Sequence, residues 1–341
     1  MDIVTQGLLG AAVAQAAYGH KGRKKTSIYG FILGLLPDFD VIARLWGPWA
    51  SLKYHRGPTH SIILCFIFAI PLGILVGKIA KNGLTNREWV GITILALTTH
   101  PIIDWFTSYG TAILWPITDK RLAIDCVSIL DLIFSAPLLI VTILGIFSLV
   151  QPSKIRMLSI AALGLSFGYA AWGYHNSQHL GALGKEMFKQ QNFEAVEVRA
   201  MPTLLNISIF RVVGRDADDN FMVTYLKKGS EEPVSPLRLA KSDKDEFVKK
   251  AAEHEHCKLF KLFAMDMIRS KSALNESGLR QVTFYDMRYG AMNSDFDGLF
   301  STAVLFDENG EITSVKQVRP QEIRDEFKKD AVDTLKRVFD K

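Results

Sequence analysis

The chain has 341 residues, 48% of them hydrophobic, and a formal net charge of +5. That length accommodates two ordinary domains, and without a dense basic stripe interleaved with aromatic residues no nucleic-acid partner is expected. Cys65, Cys126 and Cys257 form no CxxC pair, so neither a thiolate metal site nor a disulfide-dependent fold is indicated.

The opening stretch VTQGLLGAAVAQAAYG, residues 4–19, is apolar, but its basic residues follow it instead of leading it, unlike a secretory signal. It predicts a tilted helix packed closely through Gly7, Gly10, Ala11 and Ala14. Further apolar runs predict helices over residues 27–44, over 61–80 with a kink at Pro71, from 88 to beyond Pro101, over 125–149 and over 157–174. The expected fold class is therefore a mainly α membrane protein: about a six-helix membrane bundle in residues 1–178, then a small external α+β domain in 179–341.

Charge orients this arrangement. Lys21, Arg23, Lys24 and Lys25 fall in the first connection, Lys78, Lys81 and Arg87 around the third, and Lys154 and Arg156 in the fifth. The positive-inside rule places these in the cytoplasm. The connections 46–60 and 107–124, with the C-terminal domain, then lie on the periplasmic or extracellular face of a multi-pass inner-membrane protein. Beyond residue 181, strands are predicted over 203–213 and 220–226, 281–287, 301–306 and 312–318, with a helical stretch over 243–269. A closing amphipathic helix from Pro320 would share Ile323, Phe327, Ala331, Leu335 and Phe339 on one face.

The chemistry concentrates in PDFD, HRGPTHS, HPIIDWFTSYG and LAIDCVSILD, at the borders of the apolar runs. A carboxylate or imidazole there costs several kcal/mol to desolvate unless it is paired or bound to a cation. Asp38, Asp40, His60, His100, Asp104 and Asp131 are the expected metal ligands, and His55, Arg56 and Asp40 the expected catalytic groups. His100 and Asp104 share a helix face one turn apart, as either a ligand pair or a packing hydrogen bond. Arg56 could brace a phosphate oxygen or anchor a lipid headgroup. Asp125 could be a helix cap, whereas Asp131 lies nearly two turns deeper, where no cap is expected. His175 and His179, four apart, could add ligands or form a surface pair. Mixed His and Asp ligands suit Zn²⁺ first, then Mn²⁺, as one ion or two.

PDFD, HRGPTHS and HPIIDWFTSYGT, followed by Pro116, Arg121 and Asp125, resemble the YdjM-like family of inner-membrane metal-dependent hydrolases over about residues 1–174. TFYDMRYG resembles an extension of longer members. The resemblance implies a distant relationship to zinc-dependent phospholipase C and P1-type nucleases, hence phosphoester hydrolysis. It carries function to Asp38, Asp40, His55, His60, His100, Asp104 and Asp131. Some relatives have a histidine in the first helix where this chain has Thr5 and Gln6. The expected substrate is a phospholipid or another lipid-linked phosphoester. A metal-dependent membrane protease is a second reading, though the chain lacks HExxH, and a cation transporter or metal-binding interaction protein is a third.

Overall fold

The Gly- and Ala-rich opening forms α1 (Ile3–Leu35) in the computed structural model, which describes residues 1–230, 232–290, 292 and 298–318. At 1.5 Å per residue a straight helix would hold Gly10 and Gly34 about 36 Å apart. Instead, a Cβ placed on Gly10 would lie 2.7 Å from the Gly34 Cα. The element therefore doubles back on itself. Gln15 Nε2 donates to Ser27 Oγ across the two arms at 2.7 Å, which puts the bend in the basic run between them. Small residues let the two backbones touch.

A 3-10 segment (Leu36–Trp46), α2 (Pro48–Tyr54) and a 3-10 turn (Pro58–His60) lead into α3 (Ile62–Ala80). Then come α4 (Asn86–Trp105), α5 (Leu132–Ile146) and α6 (Pro152–Gln190). Helix α4 packs against α1 and α3, and α5 packs against α1, around a core that includes Leu9, Trp89, Ile92, Phe134 and Leu138. Thr85 and Glu88 form a capping box that starts α4, and Lys25 Nζ donates to the Ala80 carbonyl at the end of α3.

Among the described residues only α3 and α6 are long and apolar enough to cross a membrane, which overturns the six-helix bundle. The other apolar runs fall short for physical reasons. Each arm of α1 is shorter than the roughly 20 residues a span needs, and α5 has 15 residues. Helix α4 has 20 but includes Arg87, Glu88, three threonines, His100 and Asp104. The helix predicted from residue 125 begins only at Leu132, because Ile124 and Cys126 donate their backbone N–H groups to the Trp105 and Phe106 carbonyls. The predicted helix over 27–44 gives way to 3-10 geometry at Leu36, next to Pro37.

The chain divides into two compact units, Met1–Tyr174 and His175–Lys341. The second contains two antiparallel sheets, each with its four strands in sequential order. Strands β1 (Glu197–Pro202), β2 (Ile209–Arg215), β3 (Phe221–Lys227) and β4 (Arg238–Ala240) form one sheet. Strands β5 (Ile268–Leu274), β6 (Arg280–Asp286), β7 (Ser301–Phe306) and β8 (Ile312–Val318) form the other. Between them the helical stretch breaks at His254, which ends α7 (Glu246–Glu253) and caps α8 (Glu255–Phe263) by accepting the His256 N–H at Nδ1. The helix expected from Pro320 lies outside the described residues.

Candidate metal centre

The centre is assembled from four local structures of the first unit. The 3-10 segment turns Asp38 and Asp40 inward and leaves Phe39 between them facing out. In the HRGPTHS loop, Arg56 adopts φ +58°, and Gly57 leaves no room for a side chain, since a Cβ there would lie 2.9 Å from the Tyr54 carbonyl oxygen. That tight turn delivers His60 just before Ser61, whose hydroxyl accepts the Leu64 N–H and caps α3. Helix α4 supplies His100 and Asp104 from one face, and the second arm of α1 supplies the Gly34 carbonyl.

The two imidazoles converge with their Nε2 atoms 3.1 Å apart. His100 Nδ1 lies 2.7 Å from the Gly34 carbonyl oxygen, and His60 Nδ1 lies 3.2 Å from Asp40 Oδ2. Each Nδ1 faces an acceptor, so whenever a ring is neutral its proton sits at Nδ1 and its Nε2 lone pair is directed at the point the two rings share. Asp38 Oδ1 lies 3.4 Å from His60 Nε2 and 3.5 Å from His100 Nε2. Asp104 Oδ2 lies 3.1 and 3.6 Å from the same atoms, is buried, and has no hydrogen-bond partner among the described residues. Four donor atoms around one point call for a cation. A tetrahedral ion with ligands at 2.0–2.1 Å requires ligand-to-ligand edges of about 3.3–3.4 Å, and the observed separations scatter around that value. Asp38, His60, His100 and Asp104 therefore form a buried cluster able to coordinate a metal ion.

Asp40 stands behind this cluster. It receives hydrogen bonds from the Arg56 N–H at 2.9 Å and from Thr59 Oγ1 at 2.7 Å, and it pairs with His55 Nδ1 at 2.7 Å. One carboxylate thus fixes the loop, His60 and His55 together. His55 is 20% exposed and Asp40 4%, so the pair reaches from the buried cluster toward the surface. Asp38, Asp40 and His55 also lie close enough to hold an ion.

Arg56 turns to the cluster's own carboxylate. Its Nη2 is 3.1 Å from Asp104 Oδ1, its Nη1 donates to Thr107 Oγ1, its guanidinium lies over the Tyr109 ring, and its buried Nε has no hydrogen-bond partner among the described residues. Gln6 Nε2 donates to the same Asp104 oxygen at 2.9 Å, and the Met1 amino group also contacts it. Arg121 ties the connection between α4 and α5 to the end of α2 through the Leu52 and His55 carbonyls, and also donates to the Gly110 carbonyl of its own connection.

Burial works to raise the Asp38 carboxyl, but hydrogen bonds with His100 and His60 hold it well below the usual carboxylate range. Burial likewise opposes ionisation of Asp40, and His55 and His60 outweigh it. His60 is buried, which disfavours its charged form, yet Asp104, Asp38 and Asp40 push its pKa up to about 10.

Two expectations fall elsewhere. The Asp131 carboxylate is the N-cap of α5, accepting the Ile133 and Phe134 N–H groups at 3.1 Å each and the Tyr169 hydroxyl at 3.0 Å. A cap accounts for it after all, because the helix starts later than its apolar pattern suggests. His175 and His179 stack at a centroid distance of 6.5 Å on α6, within the second unit. Sequence reasoning missed the Gly34 carbonyl, Thr107 and the Arg121 clamp, whose partners are backbone groups or residues distant in the chain.

A family profile described as YdjM inner membrane protein matches residues 1–179, just over half of the chain. The uncharacterized protein YfhP of Bacillus subtilis (strain 168) is 27% identical over 95 residues, covering 28% of this chain and 29% of that relative. The match thus spans less than a third of the relative's length. No solved structure matches the chain.

Proposed function

The chain belongs to the YdjM inner membrane protein family, and from that premise we propose that it is a membrane-bound, divalent-metal-dependent hydrolase acting on a phosphoester of a phospholipid or other lipid-linked substrate. The observation that carries this reading is the convergence of two Nε2 lone pairs and two carboxylate oxygens on one point. The near-tetrahedral spacing and mixed N and O donors favour Zn²⁺ over Mn²⁺.

A divalent cation held there supplies Lewis acidity toward water and toward a phosphoryl oxygen. The chain's own residues do the rest. Asp40 holds His55 Nδ1, so the imidazole is oriented to accept a proton from attacking water or return it to a leaving alkoxide. Arg56 offsets the charge of Asp104 and keeps that carboxylate turned to the ligand point. The lysines at the far end of α3 and the basic residues near the start of α6 favour the cytoplasm for those ends. The end of α3 nearest the centre would then face the periplasm or the extracellular side.

Metal analysis by inductively coupled plasma mass spectrometry on detergent-purified protein tests this reading. The wild type is expected to retain about one divalent ion per chain, which His60→Ala and Asp104→Ala lose while keeping the wild-type circular dichroism spectrum. Absence of bound metal in the wild type after controlled reconstitution would sink the hydrolase mechanism. Release of phosphate or phosphoalcohol from phospholipid by the loaded wild type, and by neither variant, is the expected activity.

A further inference from the structure

The 3-10 segment Leu36–Trp46 has two faces of opposite character. Asp38 and Asp40 are buried against the histidines, while Phe39, Ile42, Leu45 and Trp46 are 65, 55, 80 and 72% exposed. Scattered exposed apolar residues need no explanation, but four large ones within eight positions, on the segment that carries Asp38 and Asp40, form a patch. Ile117, in the connection between α4 and α5, is also 77% exposed.

The depth of this patch is set by α3. That helix is long and apolar enough to span a membrane, begins two residues after His60, and exposes Phe66, Ile67 and Phe68 in its early turns. Leu36 packs against the cluster of Cys65, Ala69 and Leu97, so the 3-10 segment leaves the core at the level of the first turns of α3. With α3 as a span, that level is the boundary region, neither mid-membrane nor open water. Arg44 and Lys53 are exposed beside the patch, and Trp46 and Tyr54 are side chains that partition to the headgroup layer.

We propose that the Leu36–Trp46 segment is an interfacial element, seated in the headgroup layer of an anionic leaflet, that opens the metal centre toward lipid. The carbon-rich face enters the upper acyl region, Arg44 and Lys53 meet anionic headgroups, and the opposite face presents Asp38 and Asp40 to the centre. An amphiphile can then reach His55 without leaving the leaflet. That the amphiphile is a substrate rests on the hydrolase reading; the seating of the segment does not. A second copy of this chain could also cover an apolar patch, but continuity with the outward face of a membrane-length helix, together with basic flanks, favours lipid.

Nitroxide labels at Ile42→Cys and Leu45→Cys test the seating in phosphatidylethanolamine–phosphatidylglycerol vesicles. Phe68→Cys serves as the lipid reference and Glu253→Cys as the water reference. The three native cysteines are buried. Power saturation is expected to show oxygen-dominated relaxation at positions 42 and 45, close to that at 68. Relaxation dominated by a nickel chelate, as at 253, would place the segment in water and overturn the proposal. Protection from both reagents would reveal a protein cover and also overturn it.

A triple variant, Ile42→Ser, Leu45→Ser and Trp46→Ser, is expected to keep wild-type metal content. It should hydrolyse phosphoester presented in those vesicles at least tenfold more slowly, while turnover of a short-chain soluble phosphoester is unchanged. Equal losses on both substrates would overturn the proposal. No hydrolysis by the loaded wild type would fail the hydrolase reading, with the label depths still deciding the seating.

Discussion

His60 is gripped at both ring nitrogens, by Asp40 at Nδ1 and by Asp38 and Asp104 at Nε2. That arrangement fixes how the centre responds to pH. With its pKa raised to about 10 in the metal-free site, His60 is an imidazolium at neutral pH, and a proton occupies the Nε2 position that a metal would take. Metal binding must release that proton. Apparent affinity is therefore expected to rise by about tenfold per pH unit as pH increases from 6.5 to 8.5, and to level off only near the His60 pKa. Competition against a chromophoric chelator at three pH values measures the slope; a flat profile would show that His60 is not displaced. Asp38 and Asp40 titrate far below this window and add nothing to the slope.

At the scale of elements, the start of α5 separates structural from ligating carboxylates. Asp131 contributes two cap hydrogen bonds and accepts a third from Tyr169. Asp131→Ala is expected to lower stability by about 1–2 kcal/mol, the usual cost of removing such a cap, while leaving metal content at the wild-type level. Thermal unfolding in detergent with parallel metal analysis checks both; loss of metal without loss of stability would return Asp131 to the centre. The misreading of this residue shows where sequence patterns run out. Apolar periodicity located α5 but not its first turn, since backbone hydrogen bonds from residues 124 and 126 to the end of α4 hold the chain extended. The same limit inflated the span count, because an apolar run reads alike whether it faces lipid or, as in the arms of α1, its own other half. Strands β7 and β8 were legible from residue type and bounding turns, whereas EVRAMP in β1 and IRSKSAL in β5 are too polar to announce themselves. Asp38, His60, His100 and Asp104 stood out because charge at an apolar border is costly. The pairing of Arg56 with Asp104 was not legible, because the two residues are far apart in sequence.

At the scale of the whole molecule, the four side chains able to coordinate a metal ion belong to the first unit, so a bound ion should stabilise that unit by mass action, in proportion to RT ln(1 + [metal]/Kd). Two cysteines report on this separately. Cys126 sits in the loop that returns to the end of α4, and Cys257 lies on α8 of the second unit. Burial pushes both thiols up to about 12, so neither presents thiolate to an alkylating reagent at pH 8 while its surroundings stay folded. Alkylation therefore reads local opening. Chelating the metal is expected to speed modification of Cys126 by at least tenfold and zinc to reverse it, with the Cys257 rate as the internal reference from the unit that holds none of these four side chains. Peptide mass spectrometry after timed iodoacetamide exposure resolves the two sites. An unchanged Cys126 rate would mean that the cation adds no stability to the fold around it. In that case the close approach of His60 and His100 would be sustained by Asp38, Asp40, Asp104 and a captured proton instead of a resident metal.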